Sequence, residues 1–266
     1  MSDSLPDPAA VPLPAIPDPV AAPELDVPSP APVVDPRSRV VALAEVVLAS
    51  GFPTQLALGA LLALMGVGPF AESGGLSMRY LILLMTADAA LLLAIVVWRL
   101  RAGGERVSEV LLGRRDWVRE CWLGAGLIPL VFACAIGVMA GARAAWPWLH
   151  NVDTNPFEAL IQSRMDALLL AVLVIVTGGI KEEVQRAFVL HRFGQSLGGA
   201  RLGVVVYSLV FGAGHLIQGY DVGIATAMLG LAWGGVFLWR RSIVASSVSH
   251  AGFNAAQILQ LVVLGS

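Results

Sequence analysis

The sequence predicts an all-α fold, a polytopic membrane helix bundle of about seven to eight transmembrane helices. Two observations carry that expectation. Hydrophobic residues make up 57% of the 266, charged residues only 14%, and mean hydropathy is +0.76, whereas a soluble domain carries about 25% charged residues. The apolar residues are also gathered into seven stretches, most of them meeting the ~20 residues that a helix needs to cross a bilayer.

Residues 1–37 stand apart from these stretches. Eleven of the 16 prolines fall here, interleaved with Ala, Val and six acidic residues. Such a composition cannot build a core, so the segment is expected to be a disordered Pro/Ala-rich tail. It lacks the basic start and the continuous apolar run of a signal peptide. The first apolar stretch, about 40–68, is expected to break near Gly51 and Pro53, because proline removes a helix hydrogen bond. The second runs over about 76–100. Segment 101–120 alternates Arg with Glu and Asp around Val107, Val110, Leu111, Leu112 and Trp117, which reads as an amphipathic helix resting on the membrane surface. Residues 38–121 thus form an N-terminal transmembrane hairpin and its connector. Residues 122–266 form a second unit, with stretches at about 122–142, 165–190, 202–218, 222–239 and 243–264. In the sixth stretch Thr226, Gly230 and Gly234 recur every four residues, a seam of small side chains that permits close helix contact. Cys121 and Cys134 lie 13 residues apart on one apolar helix, about 20 Å along it and too far for a disulfide.

The basic residues set the expected orientation. With the N-terminus in the cytoplasm, twelve arginines fall inside, among them Arg99, Arg101, Arg114, Arg192, Arg240 and Arg241, against Arg79, Arg143 and Arg164 outside. That is a positive-inside bias, and it points to a multi-pass protein of the cell membrane. A net charge of −2 argues against a nucleic-acid partner; the expected surroundings are the lipid bilayer.

Three of the apolar stretches carry polar groups that a lipid-facing helix could not keep. One runs into Lys181-Glu182-Glu183-Val184-Gln185-Arg186, the next into Phe211-Gly212-Ala213-Gly214-His215, and the last into His250-Ala251-Gly252-Phe253-Asn254. A charged side chain at the bilayer centre costs about 2.5–3.5 kcal/mol on insertion scales, so such residues face the bundle interior and are functional candidates by default. Glu182 and Arg186, four apart, share a helix face on which they can pair, with Glu183 about 100° round from it. Counted along their helices the three clusters fall at similar depth, in the central to cytoplasmic half of the bilayer, and can converge on one cavity. Asp88 and Glu45 read as lone groups with a structural or rim role. A carboxylate, two imidazoles and an amide in a dry site are the parts of a water-activating hydrolase.

At these residues the chain resembles the CAAX prenyl endopeptidases and the bacteriocin-processing and immunity-type membrane proteases. Their pattern is Glu-Glu-x-x-x-Arg, then Phe-x-x-x-His, then His-x-x-x-Asn, on three transmembrane helices in that order. Phe211 with His215 and His250 with Asn254 match it as written, and the resemblance covers about 122–264. The first motif is one residue short. Anchored on Arg186, it places Lys181 at the first Glu position and Glu182 at the second; anchored on the Glu pair, it places Glu182 first and shifts Arg186 by one. Glu182 belongs to the motif either way.

The resemblance implies peptide-bond hydrolysis, on a peptide or membrane-protein substrate. Glu182, or Glu183 in its place, would deprotonate a water held with His215; Arg186 would orient the carboxylate; His250 and Asn254 would bind the oxyanion. A divalent metal such as zinc is open, with His215, His250 and Glu182 as its ligands. The rival readings are a catalytically inactive membrane scaffold or immunity-type relative, which the Lys181 irregularity favours, and a small transporter.

Overall fold

The structure, a computed structural model, describes residues 36–72 and 74–264. The expected tail lies outside these residues, apart from the opening of the first helix. Among the described residues the elements are α-helices, one π-helical segment and short 3-10 turns, with no strand. The fold is all-α, as the long apolar stretches predict.

Helices α1 (Pro36–Ala49) and α2 (Phe52–Leu64) meet at a bend of 47°. The break falls at Gly51, whose φ of 84° is left-handed, and Pro53 follows in the first turn of α2, where a missing N–H costs nothing. The bend aims Thr54 and Gln55, at the start of α2, toward α3 (Met78–Ala102). Helix α5 (Trp117–Ala145) begins at an Asp116 cap, whose carboxylate accepts from the amides of Val118 and Arg119. A single long rod follows: α6 (Arg164–Val174), the π-helical Ile175–Glu182, and α7 (Glu183–Ser196). Helices α8 (Ala200–Ala213) and α9 (Tyr220–Arg240) form a hairpin, and α10 (Val244–Leu264) packs against α5, α6, the π-helical segment and α9. The small-residue seam of α9 lies on α8: a Cβ at Gly230 would sit 3.0 Å from Ser208 Oγ, and one at Gly234 2.9 Å from Val204.

Helices α3, α5 and α9 are long and apolar enough to cross a membrane, and the bent α1–α2 pair qualifies if taken as one span. The remaining stretches are not among these spans. The α6–α7 rod holds Lys181, Glu182, Glu183 and Arg186, and α8 has only 14 residues. Two sequence expectations are corrected. Segment 101–120 is not one amphipathic helix: it contains the five-residue α4 (Val107–Leu111), followed by a turn at Gly113 with φ 62°. Leu111 is buried in the core and its carbonyl accepts from Ile243 N at 2.9 Å, so this connector docks onto the bundle. The fifth stretch is helical only to Ala213, and His215 lies beyond the helix end.

Ion networks mark the two ends of the bundle. At the arginine-rich end Glu45 pairs with Arg99 and Arg192, and Glu120 with Arg240. Glu105, in the α3–α4 connection, accepts from Arg192, His191 and Gln195 at 2.5–2.6 Å. At the other end Asp221 holds Arg143 at 2.6 Å and His150 at 3.1 Å. Burial alone would raise the Glu105 carboxyl, but the hydrogen bonds from Arg192, His191 and Gln195 outweigh it and hold the group below the usual carboxylate range. A depressed carboxylate stabilises the fold above its unfolded pKa and loses that contribution as pH falls through its folded value. Thermal melts between about pH 7 and pH 3 are therefore expected to show a smaller acid-induced drop for Glu105→Gln than for the wild type. Equal drops would remove Glu105 from the acid response.

Candidate active site

The α6–α7 rod and α10 come unusually close, and two glycines explain why. A Cβ on Gly179 would sit 2.5 Å from the Ala251 Cβ and 2.9 Å from its Cα. A Cβ on Gly178 would collide with the Asn254 amide nitrogen and lie 3.5 Å from His250 Nε2. Both glycines lie in the π-helical segment, a departure from α geometry that is frequent at functional sites.

The six singled-out residues divide into two groups. Glu182, His215, His250 and Asn254 line one cavity of about 610 Å³, together with Lys181, Asp88 and Trp233. Glu183 and Arg186 do not line it. They form a buried ion pair, each 1% exposed, and this corrects the expected pairing of Arg186 with Glu182. The reason is geometric: α7 starts at Glu183, so Glu183 and Arg186 are three apart on one regular helix, while Glu182 closes the wider π turn. The Arg186 guanidinium also lies over the rings of Tyr207, Phe211 and Trp233, at 5.2, 5.3 and 5.7 Å. These faces attract a cation where its Nε and Nη2 find no hydrogen-bond acceptor among the described residues.

Glu183 connects this pair to the cavity. His250 Nδ1 lies 3.0 Å from Glu183 Oε1, and an ionised carboxylate can only accept, so Nδ1 carries the proton and donates. Trp233 stacks on the same imidazole at 3.9 Å and 18°, fixing its plane, and its own indole N–H donates to Ser249 Oγ. His250 Nε2 is thereby turned to Glu182, whose Oε2 lies 3.8 Å away. That gap is wide for a direct hydrogen bond. His215 is fixed in the same manner: its Nδ1–H donates to the Phe211 carbonyl at 2.8 Å, leaving Nε2 as the acceptor. The Phe211 ring stands edge-on to both imidazoles, at 4.9 and 5.9 Å. Asn254 donates from Nδ2 to the Val174 carbonyl at 3.3 Å.

Asp88 and Glu45 are not lone groups, which corrects that expectation too. Asp88 accepts from Lys181 Nζ at 3.1 Å, Thr54 Oγ1 at 2.6 Å and Gln55 Nε2 at 3.2 Å. The lysine next to Glu182 is thus neutralised by a partner on α3. Separate charges of opposite sign in apolar stretches were the available signal, since intramembrane charges pair with one another. Sequence distance hid it: 93 residues separate this pair.

The metal reading does not fit. Among the described residues no three His, Cys, Asp or Glu side chains group closely enough to hold an ion. His215, His250 and Glu182 therefore do not form a ligand set.

Residues 164–256 match the family model described as type II CAAX prenyl endopeptidase Rce1-like. This segment is similar to that family. The match opens at the first residue of α6 and ends within α10, so it contains all six singled-out residues, while Asp88, Thr54 and Gln55 lie outside it. No curated protein and no solved structure gave a significant match. The segment is thus similar to that family, and the apolar helices of the chain agree with a membrane protein.

Proposed function

We propose that the chain is an intramembrane endopeptidase in which Glu182 activates water. The observation that carries this reading is the cavity shared by Glu182, His215, His250 and Asn254, in which the Glu182 carboxylate lies 3.8 Å from His250 Nε2. Glu182 is 21% exposed against 1% for Glu183, so it meets a water where its neighbour cannot. A water seated between Glu182 and His215 donates one hydrogen bond to each: the carboxylate takes its proton as general base, while His215 Nε2 accepts the other O–H and holds the oxygen in place. The hydroxide adds to the scissile carbonyl, and Glu182 then returns the proton to the leaving amine. The second Nδ2 hydrogen of Asn254 serves the oxyanion, joined by His250 Nε2–H when that ring carries two protons. Glu183 acts at one remove, through the orientation of His250.

The test is Asn254→Ala assayed on a peptide library in detergent. Turnover is expected to fall by about 10²–10³ for one lost oxyanion donor, with an unchanged melting temperature. A wild-type rate would remove Asn254 from the chemistry. A wild-type protein that cleaves nothing in the library would instead favour the inactive-scaffold reading.

Gly178→Ala makes a second test of the same geometry. The added methyl group meets the Asn254 amide and approaches His250 Nε2. Displacing such groups by about 1 Å costs on the order of 10² in rate. Gly179→Ala, by contrast, pushes on Ala251 in the helix contact and is expected to cost about 1–3 kcal/mol of stability. Cleavage rates and thermal melts of the two variants separate these effects.

A further inference from the structure

The cavity is one-sided. Its walls come from the first turns of α3, the later half of α5, α6 with the π-helical segment, the outset of α9 and the later half of α10. Its rim is built by Asn155, Phe157 and Glu158 of the α5–α6 connection and by Ile217 and Gln218 of the α8–α9 turn. No residue of 101–120, 191–201 or 240–244 lines it. Those are the connections that carry the arginines. Toward that end the cavity is floored by Trp233, with the buried Glu183–Arg186 pair beside it and Phe188 at 0% exposure. The open side therefore faces the end with few arginines, which the positive-inside rule makes extracytoplasmic.

The rim and one wall carry uncharged amides. Gln257 and Gln260 follow Asn254 along α10, and Asn155 Nδ2 donates to the side-chain oxygen Oε1 of Gln218 at 3.1 Å. Gln257 and Gln260 make no side-chain hydrogen bond among the described residues. Carboxamides offer both donors and acceptors, the complement of a peptide main chain, and impose no charge requirement. Facing them are apolar side chains from α3 and α5, among them Leu84, Met85, Ile136 and Met139. A volume of about 610 Å³ falls within the range of pockets that enclose a compact ligand.

We propose that this site takes its substrate from outside the cytoplasm: a polar peptide segment, presented at the outer membrane face and bound through its main chain along the row from Gln218 and Gln257 to Asn254. The proposal rests on the protease reading for what happens to that segment, and on the cavity alone for the side from which it arrives.

Two measurements on the full chain test it. In a background with Cys121 and Cys134 changed to Ala, Glu158→Cys places a thiol on the rim and Ser108→Cys places one at the arginine-rich end. A membrane-impermeant maleimide added to sealed right-side-out vesicles is expected to label the first and to reach the second only after permeabilisation. The reverse pattern, or equal labelling of both, overturns the proposal. An internally quenched peptide library that cannot cross the bilayer is then added to right-side-out and inside-out vesicles. Cleavage confined to right-side-out vesicles is expected. Cleavage confined to inside-out vesicles overturns the access side and leaves the protease standing. Absence of cleavage in both, and in detergent, overturns the protease reading and the substrate with it.

Discussion

Glu182→Gln is expected to lower peptide turnover by roughly 10²–10⁴, the range for loss of a general base, while the protein folds and melts as the wild type does. The substitution keeps the shape and hydrogen-bonding reach of the side chain and removes its capacity to take a proton. Stability should hold because Glu182 carries no buried ion pair: its nearest charged-group partner is His250 Nε2 at 3.8 Å, and its side chain is 21% exposed. The loss should fall on kcat with little change in KM, since Glu182 acts on the water and not on the bound chain. A variant that cleaves at the wild-type rate would end the assignment of Glu182. A variant that fails to fold would show that the carboxylate is structural.

Much of the site was legible in the sequence for one physical reason. Polar groups in apolar helices are expensive, so Glu182, His215, His250 and Asn254 stood out against their surroundings and were placed on one cavity by helical arithmetic. The same arithmetic failed for Arg186. It assumes a uniform 3.6-residue turn, and the π-helical stretch Ile175–Glu182 breaks that period one residue before α7 begins. The glycines that admit α10 to within contact, Gly178 and Gly179, were visible as residues but not as necessities, because their role lies in what they would meet on another helix. Trp233 was hidden for the same reason: its stacking on His250 joins α9 to α10 and leaves no periodic trace. The fold class followed from the apolar composition and from the gathering of apolar residues into stretches of bilayer-crossing length. The extent of helix did not, since α8 stops at Ala213 where Gly214 and the His215 cap intervene, within a run that stays apolar to Ile217.

Glu183→Gln is expected to act on the fold before it acts on the chemistry. The neighbouring carboxylate is buried with Arg186, and removing one member of such a pair leaves an uncompensated charge, at a cost of about 3–5 kcal/mol. The aromatic faces around the guanidinium offset part of this loss, each by about 0.5–2 kcal/mol. The thermal midpoint should therefore drop clearly for Glu183→Gln and for Arg186→Met taken singly. Replacing both, as Glu183→Leu with Arg186→Met, removes the two desolvation penalties together and should return most of the stability. Activity should not return with it, because His250 Nδ1 has then lost the carboxylate that fixes its orientation. The double variant thus separates the two roles: a folded, inactive protein assigns Glu183 to positioning His250. A folded and fully active one would confine Glu183 to the buried pair, and a Glu183→Gln variant that melts with the wild type would remove it from the fold as well.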